Sequence, residues 1–432
     1  MTGVSLQDGW LPTLLLVLGV VGAAFLLARR ERWWWIWFVP VAVVVSAVVA
    51  WALGTLFAEA VIGQKLENTS DYVWLGVIVA AIVIGIGRCV RVTWWQPLVT
   101  LLAAVLVIAA AANQINRTYV QYPTLGDVLG AQSEYLIDGP PPVPTTVGEL
   151  PAGPLESVWT PEGNISANGR VSPMTIPGTV SGFKAREAQV YYPPAYEATN
   201  PQRLPVLVLL AGQPGSPGDW FLGDRLQQVM DPMAAKNKGI APIVVVPDIL
   251  GDATANPGCF NSSLGNVDTY LSVDVPAAIN AQLLAQTDHQ HWAIGGFSAG
   301  ATCSLQMATN HPDIYPTFLA FAGELNPSTG GSMQDTINTA FGGDAAKYKA
   351  VNPLDLMASK QYPNVAGWFV AGSEDPIFGP VQPQLLAAAQ KAGMNVQLYT
   401  NPGTGHAWDT VTGGLAHVLP WLYGRLGITA AS

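Results

Sequence analysis

Charge is scarce in this chain of 432 residues. Only 11% are Asp, Glu, Lys or Arg, and 29 acidic residues against 19 basic ones leave a net charge of −10. Nothing supplies a basic surface for a phosphate backbone, so a nucleic-acid partner is not expected. Cysteine is rarer still, at three residues. None falls in a C-x-x-C or a mixed Cys/His cluster, so neither a metal centre nor a cofactor is expected. Five histidines are all that could serve as imidazole bases. No internal repeat is visible.

Apolar sequence, by contrast, is abundant, with mean hydropathy +0.30, and it is concentrated in the first quarter. Leu11–Ala28, Trp34–Phe57, Val73–Gly87 and Leu98–Ala112 are runs with no internal charge. The first, second and fourth are about long enough to cross a ~30 Å hydrocarbon core. The third is shorter, with Tyr72 and Trp74 suited to an interface at one end. A cleaved signal peptide would account for the first run only; four in succession imply a membrane domain. Arg29, Arg30 and Arg32 lie between the first two runs, and Arg88 and Arg91 between the last two. The loop 58–71 sets Lys65 against Glu59, Glu67 and Asp71. Basic loops stay cytoplasmic, so everything beyond Arg117 is expected outside the cytoplasmic membrane of a multi-pass protein. Cys259 and Cys303 would both lie there, where a disulfide is permitted, and are a candidate pair.

Three domains are expected: a membrane domain with four transmembrane helices (1–116), a Pro/Gly-rich extracytoplasmic linker (117–173) and a folded domain (174–432). The linker includes Gly139-Pro140-Pro141-Pro142. After it, strand-like runs at 188–192, 204–210, 243–246, 292–295, 317–321, 367–371 and 396–399 are mostly separated by helical patterns at 224–236, 273–286, 301–310, 383–392 and 414–424. Apolar strands alternating with helices give a mostly parallel sheet covered on both faces. Asp274-Val275-Pro276 reads as the start of one helix.

The chemistry enters at Gly296-Phe297-Ser298-Ala299-Gly300. This matches G-x-S-x-G between a short apolar strand and a helix, the setting in which a tight turn lifts a serine Oγ clear of a sheet. The fold expected is therefore α/β-hydrolase, in which the acid and then the histidine follow the serine along the chain. His289 and His291 precede the serine strand, His311 ends the following helix and His417 falls within the final helical pattern. Only His406 sits in a Gly-rich loop directly after the last strand, so it is the candidate base. The candidate acid is Asp375 in Gly372-Ser373-Glu374-Asp375-Pro376, with Glu374 as the alternative. Its task is to accept a hydrogen bond from the imidazole and fix its tautomer. Oxyanion donors are expected at the amides of Ala299 and Gln213; Pro214 has no N–H and is excluded. Trp220, Phe221 and Trp408 are candidates for an acyl pocket or for core packing, and Asp219 and Asp224 read as solvated charges.

From about Arg170 onward the chain resembles the esterase family that contains the antigen 85 mycolyltransferases of actinobacteria. The resemblance is carried by Tyr192-Pro193-Pro194-Ala195-Tyr196, Leu210-Ala211-Gly212, the serine pentapeptide, Leu325-Asn326-Pro327-Ser328 and His406-Ala407-Trp408. It implies a serine esterase or acyltransferase working through an acyl-enzyme. The substrate would be an acyl ester or lipid, extending to transfer of mycolyl or other envelope lipid, and the acceptor water or a sugar such as trehalose. The sequence departs from those enzymes in the segment Pro383–Ala387, which carries no carboxylate where they place a catalytic Glu, and in its membrane domain. A non-catalytic envelope scaffold with a hydrolase-like domain is the alternative. Retention of all three catalytic side-chain types in order speaks for the enzyme. Transport through the four apolar runs is disfavoured by their lack of charge.

Overall fold

The computed structural model describes residues 3–59, 65–66, 68–90, 93–130, 136–137, 139, 141, 147 and 151–430. Glu67 and Arg91 of the topology argument, and Pro140 and Pro142 of the linker, lie outside the described residues. The chain divides into two compact units, Met1–Ala131 and Gln132–Ser432.

Among the described residues the first unit holds four helices long and apolar enough to cross a membrane: α1 (Trp10–Leu27), α2 (Trp34–Phe57), α3 (Thr69–Arg88) and α4 (Gln96–Tyr119). Small residues let them approach closely. A side chain on Gly19 would collide with Ala110, and one on Gly22 with the Ala103 carbonyl, so α1 packs backbone to backbone on α4. A thin core of Leu26, Trp34, Ala81, Ile84, Ala103 and Val107 completes the bundle. The third and fourth helices run beyond the apolar runs and take in Asp71, Arg88 and Arg117, so charge is absent only from their middles. The Tyr119 hydroxyl donates to Asp71 Oδ2 at 2.5 Å, and Arg88 Nη1 donates to the Ala28 carbonyl at 2.9 Å.

The second unit is built on an eight-stranded sheet in the order β1-β2-β4-β3-β7-β8-β9-β10. Its strands are β1 (Arg170–Met174), β2 (Ala188–Tyr192), β3 (Val206–Leu210), β4 (Ile243–Val246), β7 (Trp292–Phe297), β8 (Thr317–Phe321), β9 (Ala366–Gly372) and β10 (Asn395–Asn401). Short β5 (Asn261–Ser262) and β6 (Gly265–Asn266) form a separate hairpin. From β4 to β10 all pairings are parallel, while β1 and β2 add antiparallel edge pairings. Every residue of β3, β4, β7, β8 and β9 is buried. That is what continuous apolar strands covered on both faces require.

Two local expectations fail here. The strand β1 starts within the segment expected as linker, because Pro173 and Arg170 hide its pattern and an edge strand tolerates both. Asp274 starts no helix. Its own backbone is helical, within a continuous run over 267–282, and its carboxylate accepts from the Val180 and Ser181 amides at 2.8 and 3.0 Å.

Candidate active site

The strand β7 ends at Phe297, and the helix α6 (Ala299–Asn310) begins two residues later, leaving Ser298 alone in the turn. Its backbone adopts φ 56°, ψ −116°. A side-chain-bearing residue tolerates this only under constraint, at a cost of about 1–3 kcal/mol. The constraint is visible in the flanking glycines. A Cβ on Gly296 would overlap the Gly300 backbone, and one on Gly300 would overlap the carbonyl oxygens of Leu210 and Ala211. Strand and helix therefore cross with no room for side chains, and the Ser298 side chain is left partly exposed at the top of the turn.

The loop after β10 brings His406 over that serine. Its Nε2 lies 3.0 Å from Ser298 Oγ, and its Nδ1 lies 3.1 Å from Asp375 Oδ2. Asp375 follows β9 by three residues. Its other oxygen accepts from the Ile377 and Phe378 amides at 3.0 and 2.8 Å. The Asp375 side chain has no exposed surface, while the imidazole retains 17%. Burial pushes the Asp375 carboxyl up, but the hydrogen bond from His406, those of the two amides and the imidazole's charge outweigh it, and its pKa falls below the usual carboxylate value. Glu374, the alternative acid, is exposed, and its amide donates to the Thr404 carbonyl at 2.8 Å. This geometry separates the two carboxylates.

The loops that carry Asp375 and His406 are tied to each other. The Ser373 amide reaches the Asn401 carbonyl at 2.9 Å, the Gly403 amide reaches Ser373 Oγ at 2.8 Å, and Thr410 Oγ1 donates to the Gly405 carbonyl at 2.6 Å. Phe378 and Phe297 lie against the imidazole with ring centroids 4.3 and 4.8 Å away. Sequence reasoning missed both, although Phe297 occupies the variable position ahead of the serine and was available as a signal. Behind them, Trp408 packs on Phe297 at 5.1 Å and on Trp220 at 5.5 Å. Trp220 and Trp408 are thus buried packing beneath the site, not an open acyl wall; Phe221 is half-buried.

The other histidines are occupied elsewhere. Nδ1 of His291 lies 2.9 Å from the Leu426 carbonyl, His311 pairs with Asp268 at 2.8 Å, His417 stacks on Tyr399 and His289 packs on Trp292. The Ala299 amide stands at the start of α6, beside the serine. Across from it, a Cβ on Gly212 would lie 3.4 Å from Ser298 Cβ, so the backbone after β3 passes directly over the Ser298 turn. Gln213 is the next residue, and its side chain donates to the Thr254 carbonyl at 2.8 Å.

Cys259 and Cys303 form a disulfide, with Cα atoms 5.3 Å apart, that fastens the loop after β4 to α6. Among the two aspartates read as solvated, Asp219 accepts from Ser216 N and Oγ at 2.9 and 3.1 Å. Asp224 is fully buried instead, and burial, opposed by the Thr412 hydroxyl, pushes its pKa up to about 7. A charged residue between two apolar patterns gives no sign in sequence of which way it turns.

The family model described as "Putative esterase" matches residues 184–421. An uncharacterized protein of Corynebacterium glutamicum is 36% identical over 341 residues, covering 76% of this chain and 77% of that one. A ferulic acid esterase structure superimposes with TM-score 0.52 at 20% identity, over 60% of this chain and 98% of its own. An S-formylglutathione hydrolase from Agrobacterium tumefaciens superimposes with TM-score 0.51 at 17% identity, over 62% and 100%. At such identities the two structures establish the α/β-hydrolase fold.

Proposed function

This chain belongs to the Esterase family, and we propose that its second unit is a serine esterase or acyltransferase with Ser298, His406 and Asp375 as its triad. The observation that carries this is the continuous hydrogen-bonded path from Ser298 Oγ through both imidazole nitrogens to Asp375. In the first half-reaction His406 Nε2 takes the Ser298 proton as Oγ bonds to the ester carbonyl carbon. The tetrahedral oxyanion is held by the Ala299 and Gln213 amides. When the intermediate collapses, the C–O bond to the alcohol breaks and His406 returns the proton to the departing oxygen. Water or an acceptor hydroxyl then attacks the acyl-enzyme by the same steps in reverse. Asp375 stays ionised throughout and stabilises the imidazolium. Its lowered pKa supports that role.

The proposal extends to location and organisation. A membrane domain, a linker and a hydrolase domain that takes in β1 from Arg170 would set the catalytic site outside the cytoplasmic membrane. The Cys259–Cys303 disulfide, which persists in oxidising compartments, supports this. A sugar hydroxyl such as that of trehalose is one acceptor in this reading. A fluorophosphonate probe applied to the full chain in detergent tests the catalytic claim against a non-catalytic scaffold. Labelling of the native chain that is lost in Ser298→Ala is the expected result; absence of Ser298-dependent labelling would favour the scaffold. Product analysis with and without added trehalose separates hydrolysis from transfer.

A further inference from the structure

The Gln213 amide shares a peptide plane with the Gly212 carbonyl, and the two point to opposite edges of it. Whatever backs that carbonyl therefore fixes the direction of the Gln213 N–H. Gly215 backs it: a Cβ on Gly215 would lie 2.5 Å from the Gly212 carbonyl oxygen. Gly215 is itself held from two sides. Its amide donates to the Ala253 carbonyl at 3.0 Å, and its carbonyl accepts from Arg186 Nη2 at 2.8 Å.

Arg186 stands two residues ahead of β2. Because β2 runs antiparallel to β4, its first residues lie at the carboxyl edge of the parallel strands, where β3 and β4 release their loops. There the buried Asp248, two residues past β4, takes the guanidinium side-on. Nε donates to Oδ2 at 3.0 Å and Nη2 to Oδ1 at 2.7 Å. The same carboxylate accepts from the amides of Arg186, Leu250 and Gly251 at 2.8, 3.1 and 3.0 Å. A two-point pair of this kind fixes the plane of the guanidinium, so the second hydrogen of Nη2 is left to meet the Gly215 carbonyl. Ala253 belongs to the loop that Asp248 begins, so both grips on Gly215 trace back to one carboxylate.

We propose that Arg186, seated by Asp248, is a positioning residue for the oxyanion site, setting the direction of the Gln213 amide through the Gly215 carbonyl. This rests on the esterase reading above and on Gln213 as an oxyanion donor within it.

The experiment compares p-nitrophenyl acetate with p-nitrophenyl thionoacetate. The two esters differ in the atom that becomes the anion, and sulfur accepts hydrogen bonds weakly. A well-aimed amide therefore favours the oxo ester, and a misdirected one shrinks that preference. Rates are measured on the full chain in detergent, per site counted by fluorophosphonate labelling. Arg186→Met should lower kcat for the oxo ester about 10-fold, less than the roughly 100-fold or more of a donor removed outright. KM should stay within about 2-fold and the thiono ester should hardly move, so the oxo-to-thiono ratio falls about 10-fold. The pH at half-maximal rate, which reports His406, should stay where it is. Arg186→Lys keeps the charge without the planar fork and should recover part of the ratio. Gly215→Ala presses a methyl against the Gly212 carbonyl and should reproduce the loss with the ion pair intact. It decides the matter should Arg186→Met fail to fold. An unmoved ratio, with activity kept or lost equally on both esters, or a fall confined to the labelled fraction, would overturn the positioning role and leave the esterase reading standing. Absence of Ser298-dependent labelling in the native chain would overturn both.

Discussion

The two units use the same apolar alphabet in opposite directions. In the helical unit the large apolar side chains face outward: Trp37 is 68% exposed, Ile86 66% and Val20 62%, while Gly19, Gly22, Ala103 and Ala110 meet in the interior. In the hydrolase unit the sheet strands bury Val, Leu, Ile and Phe almost completely, and the carboxylates buried with them, such as Asp248 and Asp375, are held by hydrogen bonds. The difference follows from the surrounding medium. Helices that satisfy their own backbone can present apolar surface to lipid, and close packing of small residues holds them together. A sheet surrounded by water must cover both faces before it can hold a strained turn such as that at Ser298.

The sharpest way to break this contrast lies in the hydrolase unit. Asp375→Asn retains shape but loses the acceptor that fixes the imidazole tautomer, and should lower kcat for p-nitrophenyl acetate by about four orders of magnitude. Circular dichroism should remain that of the native chain. Next comes the disulfide, which closes a loop with a sequence separation of 44. Cys259→Ser with Cys303→Ser should cost about 2–5 kcal/mol, read as an earlier unfolding midpoint in denaturant. An unchanged midpoint would show that the loop after β4 is held by its other contacts.

The helical unit should respond to the reverse kind of change. Gly22→Leu drives a side chain into the Ala103 carbonyl. Overpacking of this sort should cost about 1–3 kcal/mol, measured as a lower melting temperature in detergent, with acetate turnover retained. If Gly22→Leu is neutral, the backbone-to-backbone contact of α1 and α4 is not what holds that unit.

The smallest effect concerns Asp224. Its folded pKa is raised, to about 7, above the ordinary carboxyl value of 3.8. The folded state therefore holds a proton that the unfolded chain releases, and stability is lost as pH rises from about 4 to about 7. Asp224→Asn should raise the melting temperature at pH 8 and change it little at pH 4. An equal shift at both pH values would show that the carboxylate is not titrating in its buried site.

Much of this was legible in the sequence where the physics is local. The apolar runs, the order of the parallel strands' patterns and the serine turn between strand and helix all rest on spacing within a dozen residues. Ser298, His406 and Asp375 could be nominated because a Gly-rich loop and an acidic turn each follow a strand. What the sequence hid depends on contacts between distant segments. The strand β1 pairs through its backbone at an edge and carries Pro173. The rings of Phe297 and Phe378 reach His406 only once three loops have converged. Asp224 looks like any surface acid until α8 (Trp408–Arg425), whose Thr412 hydroxyl donates to the Asp224 carbonyl at 3.3 Å, closes over it.

The most direct test of the account is a set of kcat values for p-nitrophenyl acetate hydrolysis in the native chain, Ser298→Ala, His406→Ala and the double variant. If the two side chains act as one unit, each single substitution should abolish nearly all turnover and the double variant should be no slower than the worse single one. Losses that multiply, or substantial turnover surviving either single substitution, would contradict it.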